Sequence, residues 1–201
     1  MARAYWEGDE SFPYPVVQME DKEVEAAVNG EIEEATRWFY ERGQYFQRYR
    51  HKNDRFSLDY TVGLNDGKRL SIALHRCWHY AGAVDEHMEP VGMTFDLATG
   101  RRFSLEDYDE LAEREGRPEA YEREAIRQRK GQADDIIRSS WFREVRADDR
   151  FFIGANGHVA YMLEVLGHMD HNMEQGTLTE KRKDEARTLY IDLDAPMETA
   201  G

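Results

Sequence analysis

The stretch that decides the fold runs Phe56-Ser-Leu-Asp-Tyr-Thr-Val62, then the turn Asn65-Asp-Gly67, then Leu70-Ser-Ile-Ala-Leu-His-Arg-Cys-Trp-His-Tyr80. In both runs, large apolar residues alternate with small or polar ones, which is the period of a β-strand with one face against a core. The Asp-Gly pair between the runs favours a tight turn, because glycine adopts positive φ without strain. This stretch therefore predicts a β-hairpin.

Three further segments carry the same alternation. A third strand is predicted over Val91, Met93 and Phe95, and it ends at the turn Ala98-Thr-Gly100. Upstream, Phe12 to Val17 contains two prolines that disfavour helix, so we expect an extended edge strand there. Later in the chain we predict a second hairpin and a last strand: Phe151–Ile153, the turn Asn156-Gly157, Val159–Val165, and Leu189–Leu193.

Helical patterns occupy two other regions. Asp21 is typical of an N-cap, and apolar residues recur at helical spacing from Val24 to Phe39, with Gly43 as the expected end. Ser104-Leu-Glu-Asp107 resembles a capping box with Asp at the reach-back position, and Pro118 suits the first turn of a following helix. Separate helices and antiparallel hairpins predict an α+β fold, an antiparallel sheet of hairpins with helices packed on one face.

Length and charge limit the classes of function. The chain has 201 residues, which favours a single domain over residues 12–194, with an N-terminal extension over 1–11 and a C-terminal tail over 195–201. With 27 basic and 41 acidic residues, the net charge of −14 disfavours binding to nucleic acid and to anionic membranes. Cys77, the single cysteine, cannot form a disulfide within the chain. We expect neither a signal peptide nor a membrane-inserting segment, because no stretch is sufficiently long and apolar.

The most distinctive motif is Thr94-Phe-Asp-Leu-Ala-Thr-Gly-Arg-Arg-Phe-Ser-Leu-Glu-Asp107. It resembles the Phe-Asp-Leu, Thr-Gly, Leu-x-Asp signature of a bacterial domain family of unknown function. That family forms the extracytoplasmic domain of RsiV-type anti-sigma factors, which sense lysozyme, and the N-terminal domain of some peptidoglycan deacetylases. Tyr80-Ala-Gly82 is similar to the family's Tyr-Thr-Gly-Gly-Ala-His-Gly segment, but position 83 is Ala and Asp85 stands where the family has His.

The resemblance implies a non-catalytic binding or sensing domain in the cell envelope. Its partner would be a protein, such as a basic, lysozyme-like one, or a peptidoglycan fragment, recognised through loops near residues 81–90 and 166–176. We name Tyr80, Gly82, Asp85 and His87 as candidate partner-binding residues, because aromatic residues beside an acidic loop suit a protein contact. No cofactor is expected. The acidic surface would also speed encounter with a basic partner.

Two alternative chemistries involve histidines. A metal-assisted hydrolase could use His158, His168 and His171, because imidazoles at i and i+3 share a helical face and are common zinc ligands. A Cys–His nucleophile could be built from Cys77 with His75 or His79, which lie on the same face of one predicted strand. A polar loop and a half-buried strand face are the simpler interpretations, and they favour the binding module over an enzyme. Trp78 is expected to be a core residue.

Overall fold

The computed structural model describes residues 1–104, 106–108, 150–165, 167–174, 177–184 and 187–192. The fold is α+β, with one long helix packed against antiparallel sheets, as the sequence predicts. The helix predicted after Pro118, Leu193 of the last strand and the C-terminal tail lie outside the described residues. No helix in the described part of the chain is long and apolar enough to span a membrane.

The chain begins with a two-stranded sheet. Strand β1 (Ala2–Tyr5) pairs antiparallel with β2 (Pro13–Val16), and a short 3-10 helix (Trp6–Gly8) lies between them. The extended segment predicted around the prolines is therefore confirmed as a strand. Its partner strand β1 comes from residues 1–11, which were predicted to be an extension outside the domain.

Helix α1 (Lys22–Tyr49) begins where the sequence predicts. The Asp21 side chain caps it by accepting hydrogen bonds from the backbone N–H groups of Glu23 and Val24. The predicted end at Gly43 is wrong, because the helix continues for six more residues. Gly43 is buried, and a Cβ atom there would lie 3.0 Å from Cβ of Phe56, so this glycine allows the helix to approach the sheet closely.

The predicted hairpin and third strand form a continuous antiparallel meander. Strands β3 (Arg55–Asn65), β4 (Arg69–His79) and β5 (Asp85–Asp96) pair in sequence order. At the first turn, Asp66 Oδ1 accepts hydrogen bonds from two backbone N–H groups, and Gly67 has φ +80°. The hydrogen bonds from residues 68 and 69 hold the pKa of Asp66 down at about 2.

The remaining strands extend the meander and add a second sheet. The predicted second hairpin and last strand are confirmed as β6 (Phe151–Ile153), β7 (Val159–Val165) and β10 (Arg187–Asp192), in the order β10-β7-β6. Strands β8 (Gly167–Glu174) and β9 (Thr177–Asp184) were not predicted, because their sequences lack apolar alternation. They continue the first sheet, whose order is β3-β4-β5-β8-β9.

One face of the first sheet packs against α1, and we call it the helix face. The two residues of each cross-strand pair lie on the same face of the sheet. Ile72 and Met93 form such a pair, and both pack in the core beneath the helix. The core of this layer is aromatic and aliphatic. Its buried members include Val24, Val28, Ile32 and Phe39 of the helix and Phe56, Leu58, Leu70, Leu74, Trp78, Val91 and Phe95 of the sheet.

The opposite face of the first sheet is covered by the second sheet. A Cβ atom at Gly92 would lie 1.7 Å from the carbonyl oxygen of Phe151, and one at Gly63 would lie 2.1 Å from that of Ile153. The two backbones therefore touch at these glycines. Between them Ala73 packs with Phe152, Ala160 and Met162 in a small core. The sheet is covered on both faces, whereas the sequence predicted helices on one face only.

The reach-back half of the predicted capping box is confirmed at the start of the next helical turn. The backbone N–H and the hydroxyl of Ser104 both donate to Asp107 Oδ2, at 2.6 and 2.9 Å. Arg101 forms a bidentate ion pair with the same carboxylate, at 2.7 and 2.8 Å. Together these donors hold the pKa of Asp107 far below its ordinary value, and the Arg101 side chain contributes most. The motif of residues 94–107 therefore has a structural role.

Two glycine substitutions test the contact between the sheets. Gly92→Ala should lower the free energy of unfolding by about 3 kcal/mol or more, because a methyl group there collides with backbone. Gly30→Ala is the control, since a Cβ atom at this helical position meets nothing within 4 Å. It should raise the free energy of unfolding by about 0.5–1 kcal/mol through helix propensity. Urea denaturation followed by circular dichroism measures the free energy of unfolding of both variants. An unchanged value for Gly92→Ala would contradict the close contact between the two sheets.

Candidate functional site

The two segments predicted to form a ligand-binding end meet in the structure. The backbone of Asp85 pairs with that of His168, and Glu86 pairs with Gly167, so the start of β5 lies beside the start of β8. The interpretation of residues 81–90 and 166–176 as loops is wrong for residues 85–90, which belong to β5, and for residues 167–174, which form β8. The candidate site is therefore one end of the sheet, formed by two paired strands and one turn, and not a pair of loops.

Hydrogen bonds to its backbone hold the turn between β4 and β5 in place. Its backbone closes through a hydrogen bond from Ala83 N–H to the carbonyl oxygen of Tyr80, with Gly82 at φ +83°. The buried carboxylate of Asp54 accepts from the N–H of Ala81 at 2.8 Å. The His79 ring bonds the carbonyl oxygen of Ala83 at 2.9 Å. The turn thus presents the exposed residues Val84 and Asp85 from a fixed backbone.

The four candidate residues differ in their surroundings. Tyr80 is half-buried and packs against Phe46 and Phe56, with ring centroids 5.3 and 5.9 Å apart. Gly82 and Asp85 are exposed at the turn and at the start of β5. His87 is half-buried, and its ring stacks on Trp78 with centroids 4.7 Å apart and planes 2° apart. Trp78 is a core residue, as predicted.

A cavity of about 510 Å³ opens beside this turn. Its lining combines aromatic, sulfur-containing and charged side chains. The residues that line it are Ser11, Gln47, Arg55, Phe56, Ser57, Asp59, Cys77, Trp78, His79, Glu86 and Met88. A pocket of this size and mixed lining is typical of a site for a small molecule or for an anchoring side chain of a partner.

The histidines around Cys77 are occupied by other groups. Arg55 Nη2 lies 3.2 Å from Nδ1 of His79, and since a guanidinium can only donate, Nδ1 accepts and Nε2 donates to the carbonyl of Ala83. Nδ1 of His75 bonds the Thr188 hydroxyl at 2.9 Å, and its Nε2 bonds that of Thr61 at 3.0 Å. Neither imidazole is free to act as a base for the Cys77 thiol, so the structure gives no support to a Cys–His nucleophile.

The proposed metal ligands do not converge through their backbone positions. His158 precedes β7 and is exposed, whereas His168 lies in β8, beyond the other end of β7. Nine residues separate the two positions in the chain, and seven of them form the extended strand β7, which is roughly 20 Å long. His168 and His171 belong to a strand, so the helical i, i+3 argument was wrong. The described residues contain no group of three metal-binding side chains.

A buried chain of ionisable groups lies on the helix face next to the site. Arg76 forms an ion pair with Glu89 at 3.5 Å, donates to the carbonyl oxygen of Ala35 at 2.7 Å and stacks over the Trp38 ring. Burial raises the pKa of Glu89 above its ordinary value, although the Arg76 charge opposes that rise. Strand β7 contributes Glu164, whose carboxylate lies 2.9 Å from Nδ1 of His87.

Sequence reasoning missed most of these partners. Asp54, Glu86 and Glu164 are buried acids, each contributed by a segment that looks like an ordinary polar strand end. A weak signal existed for Arg76 and Glu89, because each places a charge at an inward position of an otherwise apolar alternation. Charged residues at inward positions of an apolar strand pattern are therefore candidates for buried ion pairs.

Comparisons with protein-family models and with curated proteins find no match for this chain.

The buried ion pair can be tested with a double-mutant cycle. Glu89→Leu leaves the Arg76 charge buried without its carboxylate, so the free energy of unfolding should fall by about 3 kcal/mol or more. Arg76→Met should have a similar effect by stranding Glu89. The double variant should lose less than the sum of the two, because both desolvation penalties disappear together. Additive losses in urea titrations would show that the two charges are not coupled.

His75 should make stability depend on pH. Burial lowers the pKa of its imidazole, so the unfolded chain binds a proton more readily than the folded one below the unfolded value of about 6.5. The stabilisation from the neutral ring is complete above that pH and declines as the pH falls through it, by at most about 1.4 kcal/mol at pH 5.5. The measurement is chemical denaturation between pH 7.5 and 5.5. His75→Gln should show a shallower decline, and equal slopes would contradict the prediction.

Proposed function

We propose that the chain is a binding or sensing module of the type formed by the extracytoplasmic domain of RsiV-type anti-sigma factors. Its ligand is a basic, lysozyme-like protein that docks at the β4–β5 turn and the adjoining cavity. The observation that carries the proposal is the combination of a turn anchored by Asp54 and His79 with an open cavity beside it. A rigid loop loses little conformational entropy when it binds, which favours affinity.

The chemistry of this end suits a basic protein. Asp85 and the exposed side chain of Val84 project from the turn, and the Glu86 and Asp59 side chains line the cavity. A cationic side chain of the partner could enter the cavity and face carboxylates while its aliphatic stem contacts Trp78 and Met88. The net charge of −14 adds long-range attraction to such a partner.

Binding can be measured by biolayer interferometry with the immobilised chain and two probes, a purified basic lysozyme and soluble peptidoglycan fragments. We expect lysozyme to bind, and Asp85→Lys to weaken its affinity about three- to tenfold at low salt by placing a positive charge at the contact. Glu20→Lys is the matched control, because Glu20 is also exposed but lies after β2 and outside the cavity lining. It changes the net charge equally.

The outcomes separate the alternatives clearly. Equal effects of Asp85→Lys and Glu20→Lys would place the contact elsewhere on the molecule. Binding of the fragments alone would replace the protein ligand with a cell-wall ligand. Absence of binding by both probes at about 100 μM would refute the proposal.

A further inference from the structure

Helix α1 carries opposite charges on its two halves. Between residues 20 and 34 the chain has seven acidic residues and one basic residue, and between 37 and 52 it has five basic residues and one acidic residue. The helix dipole favours acids in the first turn and bases in the last, but its effect ends within those turns. The dipole therefore does not account for Glu31, Glu33 and Glu34, or for Arg37 and Arg42, in the middle of the helix.

The outer face of the same helix is aromatic in its second half. Trp38, Tyr45 and Tyr49 are 36%, 51% and 65% exposed, and they are three of the seven large apolar side chains exposed in the described residues. Arginines stack on them, with Arg42 over Trp38 at 5.2 Å and Arg48 over Tyr49 at 5.6 Å. Tryptophan, tyrosine and arginine are the residues most enriched where protein interfaces derive their affinity.

The exposed positions follow a coiled-coil period. We define the outer ridge of α1 as residues 31, 34, 38, 41, 45 and 48, which are separated by alternating steps of three and four. All six are exposed, and none belongs to the buried core of the helix face. The ridge is about 25 Å long, enough for a contact along a second helix.

We propose that this ridge is the interface between two copies of the chain, with the two α1 helices antiparallel about a two-fold axis near residues 39 and 40. An antiparallel arrangement places the acidic half of each helix against the basic half of the other. In this register position 31 lies opposite 48 and position 34 lies opposite 45, and these pairings occur twice, as two-fold symmetry requires.

The side chains at the paired positions are complementary. Glu31 lies opposite Arg48 of the second copy, and Glu34 lies opposite Tyr45, whose hydroxyl can donate to a carboxylate. At the third pairing Trp38 lies opposite Glu41, so both Trp38 rings and both Glu41 carboxylates lie near the axis. Gly30, which leaves open space on the helix surface, lies opposite the large exposed ring of Tyr49. The opposite charges of Glu31 and Arg48, the open space at Gly30 and the exposed aromatic rings therefore fit a second copy in this orientation.

A charge-exchange experiment on the full chain tests the orientation and the register together. Sedimentation velocity between about 5 and 500 μM should show wild-type protein moving from the 23.6 kDa monomer to twice that mass. Glu31→Lys places two cations opposite each other, and Arg48→Glu places two anions opposite each other, so each variant should dimerise at least tenfold more weakly. The double variant restores opposite charges, and so does an equimolar mixture of the two single variants. Both should recover dimers.

Lys68→Glu is the matched control, because it reverses an exposed charge in the β3–β4 turn, away from α1, and should leave the dimer unchanged. Melting temperatures of all variants show whether each is folded. A wild-type chain that is monomeric throughout the concentration range overturns the proposal. So does a dimer that both single variants retain, or one that the mixture fails to recover. Binding of an acidic polypeptide such as polyglutamate to a monomeric chain would also overturn it in favour of an acidic partner.

Discussion

The contact between two backbones at Gly63 and Gly92 is the constraint on which this structure depends. At both positions the second sheet comes so close to the first that no Cβ atom fits. Small residues continue the contact, since Ser71 Oγ accepts the N–H of Ile153 at 2.9 Å and Ala73 packs under Phe152. Because the second sheet occupies this face and α1 the other, the β3–β4–β5 meander is covered on both faces, and the exposed residues of the β4–β5 turn lie at one end of it.

Enclosure on both faces explains the buried polar groups. A charged or polar side chain on a covered strand must find a partner within the protein, because water cannot reach it. Arg76 meets Glu89 and the backbone of the helix, while His75 bonds hydroxyl groups of β3 and β10. These contacts connect the layers to one another. Their cost in desolvation is why we interpret them as fixing the orientation of the layers more than as adding stability.

The described residues present two surfaces that suit recognition, and these surfaces have different chemistry. The β4–β5 turn and its cavity present carboxylates, Arg55 and His79 around an apolar wall, while the outer ridge of α1 presents Trp38, Tyr45 and Arg48 together with three glutamates. The turn lies at one end of the sheet, and the ridge lies on the exposed face of helix α1. A dimer formed through the ridge would display two turn sites, so two-fold symmetry would make the module bivalent.

Local sequence patterns specify the elements whose side chains alternate or recur regularly. The hairpin of residues 55–79, the N-cap at Asp21 and the strands β5, β6, β7 and β10 follow from local periodicity and turn chemistry. The sequence analysis placed Tyr80, Gly82, Asp85 and His87 at one end of the sheet. It predicted neither the cavity nor the contact of His87 with Glu164, which lies 77 residues later in the chain. Strands β8 and β9 and the contact between the two sheets depend on the tertiary structure. Pairing between distant segments, and close approach of a backbone to a glycine, require the other layers of the fold to be in place, so no local sequence pattern predicts them.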